Sequence, residues 1–262
     1  MTRPIVALLW AAMSFLPAQA GVIATEVNYR AGATLLKGYV AYDDAFAGKR
    51  PGVLVVHEWW GHNAYARQRA RQLAQMGYVA LAVDMYGEGR QALHPEDAQK
   101  FSSEIARNLP LGEARFKAAL ELLRRHPLAL PDKIAAIGYC FGGGVVLHMA
   151  RIGTDLQGVV SFHGSLATSQ PARPGAVKAR ILVAHGGADP FVTPAQITGF
   201  IQEMNQAGAD YTIIVYGGAQ HSFTNPAADE YGTRFNLPLK YNRAADLASW
   251  RAMAAFLEDV FR

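Results

Sequence analysis

Short, unbroken apolar runs alternate along this chain with longer stretches in which apolar residues recur every third or fourth position. The first kind predicts strands buried on both faces, the second helices that bury one stripe. Val53–Val56, after Pro51-Gly52, is such a run, as are Tyr78–Val83, Lys133–Ile137, Gln157–Phe162, Arg180–Ala184 and Tyr211–Tyr216. Helical spacing covers Ala64–Met76, stopped by Gly77, and then Pro95–Arg107 and Gly112–His126, separated by Pro110. It returns over Gly143–Arg151, Pro194–Ala207 (ending at Gly208) and Ala244–Phe261. Ahead of these, Val22–Tyr42 alternates around Ala31-Gly32, the pattern of an antiparallel hairpin at a sheet edge. Repeated β-α-β units with apolar strands predict an α/β fold, with a mostly parallel central sheet, an antiparallel N-terminal edge and helices on both faces. No linker or internal repeat interrupts the pattern, so residues 21–262 read as one domain.

The first twenty residues follow a different logic. Arg3 precedes the apolar run Ile5–Leu16, and Pro17 and Ala18-Gln19-Ala20 follow it. The run is too short for a hydrocarbon core of about 30 Å. Charge, apolar run and A-x-A site in that order predict a secretory signal peptide over residues 1–20. The expectation is a soluble, exported or periplasmic protein beginning at Gly21, with no membrane attachment after cleavage.

Composition narrows the function classes. With 51% hydrophobic and 18% charged residues in 262, the chain can bury enough apolar surface to fold, which excludes a disordered tail. Lys+Arg number 25 against 21 Asp+Glu, too slight an excess to predict a nucleic-acid partner. The densest basic cluster, Arg67, Arg69 and Arg71, reads as a solvated helix face. One cysteine, Cys140, excludes an internal disulfide framework and a multi-cysteine zinc site. A monomer or small homo-oligomer is expected.

Chemistry in open α/β sheets collects beyond the carboxyl ends of the strands, and three motifs sit there. Gly138-Tyr139-Cys140-Phe141-Gly142 joins a strand to a helix and reads as G-x-S-x-G with cysteine replacing serine. So sharp a turn strains the nucleophile's backbone and needs tiny neighbours. The helix N-terminus favours a thiolate, and the Phe141 N–H is placed as an oxyanion donor. Asp189, in His185-Gly186-Gly187-Ala188-Asp189-Pro190, suits the acid that orients a histidine, and His221, in Ala219-Gln220-His221-Ser222-Phe223, suits the general base. Nucleophile, acid and base in that order match the chain order of the α/β-hydrolase fold. His57-Glu58-Trp59-Trp60-Gly61-His62 is unlike a zinc H-E-x-x-H motif, because its second histidine is one residue too far and it leaves a strand. We read it as a loop supplying a second oxyanion donor, the Trp59 N–H, with Glu58 facing the thiol and Trp59 and Trp60 walling an apolar pocket. No metal or other cofactor is expected.

These motifs, with Val83-Asp84-Met85-Tyr86 after the next strand, resemble the dienelactone hydrolase (carboxymethylenebutenolidase) family from about Tyr39 to the C-terminus. The resemblance implies hydrolysis of a small ester or lactone, with Cys140 as nucleophile, Asp189 and His221 as its partners, and Phe141 and Trp59 as oxyanion amides. It also implies that Glu58 pairs with the resting thiol. Around the substrate it points to Trp60, Tyr86, Glu88, Arg90 and Asn225. Glu88 and Asn225 stand where the namesake enzymes carry carboxylate-binding arginines; Arg90 and, with less reason, Arg234 lie near. An arginine fork is the usual device for a carboxylate, so a neutral ester, lactone or thioester is expected instead of an anionic lactone. Alternatives are a thioesterase or acyl transferase with the same triad, and a catalytically silent fold that binds a small ligand. Redox cycling is disfavoured without a resolving cysteine.

Overall fold

The computed structural model describes residues 21–262; the signal-peptide expectation for residues 1–20 lies outside them. The N-terminal alternation becomes a hairpin of β1 (Val22–Ala31) and β2 (Thr34–Asp43), turning at Gly32-Ala33. The apolar runs become β3 (Arg50–Val56), β4 (Val79–Val83), β5 (Ala129–Tyr139), β6 (Gly158–Phe162), β7 (Arg180–Gly186) and β8 (Tyr211–Tyr216). Together they form one eight-stranded sheet in the order β1-β2-β4-β3-β5-β6-β7-β8. The β1–β2 and β2–β4 pairings are antiparallel, and all pairings from β4 to β8 are parallel.

Helices cover both faces because alternate strand residues point both ways. On one side Leu54, Val56 and Val159 pack with Phe116 and Leu120 of α3 (Leu109–Arg124), Val146 and Met149 of α4 (Phe141–Arg151), and Phe200 and Met204 of α5 (Pro194–Ala207). On the other, Val53, Val55 and Val160 pack with Leu73 of α1 (Ala64–Gln75) and Met253 and Leu257 of α7 (Arg243–Val260). At about 25 cal/mol per Å² of apolar area, these two layers are the main stabilising term.

The structure departs from the sequence expectations in four places. Pro110 does not separate two helices: it sits in the first turn of α3, where its missing N–H costs nothing. Asn108 closes α2 (Pro95–Arg107), and its side chain caps α3 through the Leu111 N–H at 3.2 Å. Helix α4 starts at Phe141, immediately after Cys140. A short helix α6 (Ala228–Phe235) lay hidden, because its eight residues include Gly232 and carry too few turns for a periodic signal. Gly232 is there for space: a Cβ would stand 2.6 Å from the Leu239 carbonyl oxygen.

The arginine cluster is a solvated face only in part: Arg71 is exposed and Arg67 half-buried, but Arg69 is not at the surface. Arg69 is buried, bonds Asp246 of α7 at 2.5 Å and lies 4.9 Å from the Trp250 ring. Arg67 pairs with Glu26 at 2.7 Å, and Arg71 donates to the Tyr39 hydroxyl at 3.1 Å.

Candidate active site

Strand β5 ends at Tyr139 and α4 begins at Phe141, so Cys140 alone makes the corner. Its φ of 52° and ψ of −115° are strained for a residue with a side chain. The corner closes only because its neighbours lack side chains. A Cβ on Gly138 would fall 2.1 Å from the Gly142 oxygen, and one on Gly142 would fall 2.4 Å from the Val56 oxygen. On the next strand end, a Cβ at Gly164 would meet Gly143 at 2.7 Å.

The loops after β7 and β8 bring in the other two groups. Asp189 Oδ2 lies 2.8 Å from His221 Nδ1, and His221 Nε2 lies 3.0 Å from Cys140 Sγ. The other Asp189 oxygen accepts the Phe191 N–H at 2.9 Å, so the carboxylate is fixed at both ends. Burial would lower the pKa of His221, but its electrostatic interaction with Cys140 and the bonds to Asp189 and Cys140 outweigh it and raise it to about 10. The imidazolium is therefore favoured at neutral pH, facing the sulfur at the N-terminus of α4. Neither the Phe141 nor the Trp59 backbone N–H has an acceptor in the protein among the described residues.

Behind the corner runs a polar chain that our reading of the sequence missed. The Cys140 N–H donates to the Phe162 carbonyl at 3.0 Å and to His163 Nδ1 at 3.1 Å. Burial holds the His163 pKa well below its usual value, so the ring is neutral, and an accepting Nδ1 places its proton on Nε2. That Nε2–H meets Thr224 Oγ1 at 2.7 Å, and Thr224 Oγ1 meets the Tyr65 hydroxyl, also at 2.7 Å. Arg69 completes the chain, donating to Tyr65 at 3.2 Å and to the Thr224 carbonyl at 2.7 Å. One signal was present: His163-Gly164 follows a parallel strand, where functional residues gather. Thr224 carries no such mark.

Cys140, His221, Trp59 and Phe141 share one cleft of about 490 Å³. The dienelactone hydrolase family model matches residues 36–261. This chain belongs to the dienelactone hydrolase family. It is similar to Protein usf of Aquifex pyrophilus, 27% identical over 89% of this chain and 97% of the relative. Among solved structures it resembles m3DLH, 37% identical with a TM-score of 0.86, over 92% of this chain and all of the other. A dienelactone hydrolase-like promiscuous phosphotriesterase from metagenomic libraries superposes with a TM-score of 0.84 at 33% identity, over 92% and 100% of the two chains. The protein is thus a dienelactone hydrolase-like hydrolase with the α/β-hydrolase fold.

Within this member of the family, the Glu58 carboxylate is hydrogen-bonded to Ser222 and Asn225, with no hydrogen bond to the Cys140 thiol among the described residues. It is buried, and its two oxygens accept from Ser222 Oγ at 2.8 Å and Asn225 Nδ2 at 2.6 Å. The reason is donor strength: a hydroxyl and an amide satisfy a buried carboxylate better than a thiol already engaged by histidine. Burial raises the Glu58 pKa, and the bonds from Ser222 and Asn225 oppose the rise. Asn225 is accordingly a partner of Glu58 rather than a wall of the cleft.

Nor do the other expected substrate residues line the cleft. Trp60 is buried under α6, with its ring 4.4 Å from Tyr231 and 5.8 Å from Phe235. Tyr86 is buried and donates to the Trp59 carbonyl at 3.0 Å, so it holds the loop that carries the amide. Arg90 binds the Tyr86 carbonyl and Glu104, at 3.2 Å from the latter, and stacks 4.7 Å from Phe101. Glu88 is exposed, in a left-handed turn at φ 56°. Arg234 lies on α6 against Phe235, 5.0 Å from its ring. Of the two tryptophans expected to wall the pocket, Trp59 reaches the cleft.

Proposed function

We propose that this protein hydrolyses small, uncharged esters or lactones through a thioester on Cys140. The observation that carries the reading is the unbroken line Asp189–His221–Cys140, at 2.8 and 3.0 Å, opening into an apolar-walled cleft. The Cys140 thiolate attacks the carbonyl carbon, and the π pair moves onto oxygen, within reach of the Phe141 and Trp59 N–H groups. Collapse of that oxyanion breaks the C–O bond, and His221 gives its Nε2 proton to the departing alkoxide. Water then adds to the thioester with the neutral His221 as base, and the acid leaves as the thiolate and imidazolium reform. Asp189 holds the imidazole tautomer and orientation throughout.

The charge pattern supports a neutral substrate. Arg151 is the one arginine or lysine among the cleft-lining residues, and its guanidinium is occupied by Glu203 at 2.8 and 2.9 Å. A free cation to receive a carboxylate is therefore lacking in the cleft among the described residues.

The test is intact-mass analysis after mixing with a neutral short-chain aryl ester. An acyl adduct on the wild type and none on Cys140→Ala is the expected result, with turnover falling by about 10⁴-fold or more in the variant. Turnover undiminished in Cys140→Ala would overturn the covalent mechanism.

A further inference from the structure

We infer that the acyl half of the substrate is a straight, uncharged chain of about eight to ten carbons, lying along α4 from Cys140 towards His148. This inference rests on Cys140 as the nucleophile. Phe141, Gly144, Val145 and His148 all line the cleft. Their spacing is that of one helical stripe, so the cleft follows the helix for two turns instead of ending at the thiol. Eight residues at about 1.5 Å each make a run of about 12 Å. Tetrahedral carbon chains with bonds of about 1.52 Å advance about 1.25 Å per carbon, which sets the chain length.

The cleft is also lined by the apolar Ile105 and Ala106 of α2 and Leu109 of α3, with the uncharged polar Gln99 and Ser102 of α2 beside them. Gly144 leaves its part of the groove open: a Cβ there would meet nothing closer than Ser165 at 3.9 Å. Reaction geometry decides which half of the ester takes this arm. The leaving oxygen must reach His221 Nε2 for its proton, which puts the alcohol beside His221 and Phe191, whose rings are 4.8 Å apart. The acyl chain then takes the arm away from His221. At the far end stands Glu113, held by His148 at 3.2 Å and Lys117 at 3.1 Å. Burial acts to raise its pKa, but those two bonds outweigh it and keep the group ionised. A chain ending in a carboxylate would therefore lose its hydration without gaining a free cation, because Lys117 and His148 are already engaged by Glu113.

The test compares p-nitrophenyl acetate, butyrate and octanoate with the mono-p-nitrophenyl ester of an eight-carbon dicarboxylic acid. Burial of a methylene contributes up to about fourfold, so kcat/KM should rise by roughly tenfold or more from acetate to octanoate. The carboxylate-ended ester should fall at least about tenfold below octanoate. Gly144→Leu and, on the exposed face of α2, Ala106→Trp should bring the octanoate-to-acetate ratio close to one. Circular dichroism checks that each variant is folded, and either folded variant suffices. A flat chain-length profile in the wild type, or a ratio that survives in both variants, overturns the inference while leaving the nucleophile in place. Absence of an acyl adduct from every ester would instead remove the covalent reading itself, and this inference with it.

Discussion

The two ends of the cleft are built by opposite means. Around Cys140 the backbone is strained, glycines meet at distances no side chain could occupy, and the thiol, the imidazole and the carboxylate are each hydrogen-bonded. Two turns further along α4 the walls are ordinary helix faces, Gly144 has open space, and the polar groups are a surface-type cluster of Glu113, His148 and Lys117. The contrast teaches where each property resides. Reactivity needs atoms held to a fraction of an ångström, so it is concentrated in a corner with little tolerance. Under the proposed function, specificity needs only shape and charge, which the faces of α2, α3 and α4 that line the cleft would supply without disturbing the chemistry.

The sharpest way to break this comparison is at Asp189. Asp189→Asn should lower kcat/KM by about 10²- to 10⁴-fold, since it removes the group that orients and charges His221. Its pH profile is equally diagnostic. The His221 pKa stands at about 10 in the folded protein, above an unfolded value of about 6.5. The stabilisation from its protonation is therefore fully present below about pH 6.5 and is lost as pH rises through about 10. In Asp189→Asn the alkaline limb of kcat/KM should move to lower pH; an unmoved limb would dissociate Asp189 from the histidine.

Next in size is Thr224→Val, which breaks the chain behind the corner without touching the cleft. It leaves the buried Tyr65 hydroxyl and His163 Nε2 each short of a partner. The expected cost is about 2–4 kcal/mol by urea unfolding, and Thr224→Ser should recover most of it. If the chain also steadies the Cys140 amide, kcat should fall more than KM changes, and Thr224→Ser should restore kcat as well.

Asn225→Ala should be smaller again, about 1.5–3 kcal/mol near neutral pH, because it strips one donor from the buried Glu58 carboxylate. Burial raises the Glu58 pKa, so the protonated form is the one the fold prefers and its contribution is lost as pH rises. The cost of Asn225→Ala should shrink in acid, where the carboxyl is neutral and needs fewer donors. An equal cost at pH 4 and pH 8 would show that Asn225 serves packing instead. At the bottom of the scale, Lys117→Ala on the far cluster should change stability by less than about 0.5 kcal/mol, since it removes an exposed i,i+4 pair.

Much of this was legible in the chain because it depends on neighbours in sequence. Strand β3, strand β8 and helix α5 announce themselves by local period, and the N-terminal hairpin by its alternation. Gly138, Gly142 and Gly143 beside Cys140 announce a corner, because only residues without a Cβ can pack there. His221 and Asp189 were legible through their place after late strands. The rest lay in contacts between residues far apart in the chain. Glu58 is 164 positions from Ser222, and Thr224 is 159 from Tyr65. No local pattern encodes which donor a buried carboxylate or hydroxyl will find.

By itself, then, the amino-acid order determined the layered α/β framework, the strained cysteine corner and the loops after late strands that carry Asp189 and His221. Backbone sterics and hydrophobic period act over a few residues, and they leave a trace in every stretch they govern. Tertiary structure alone decided that Glu58 turns to Ser222 and Asn225, that Arg69 is buried against α7, and that Trp60 and Tyr86 support the cleft from behind. These are competitions for burial and for hydrogen-bond partners, and they are settled only when all the competing groups have been brought together.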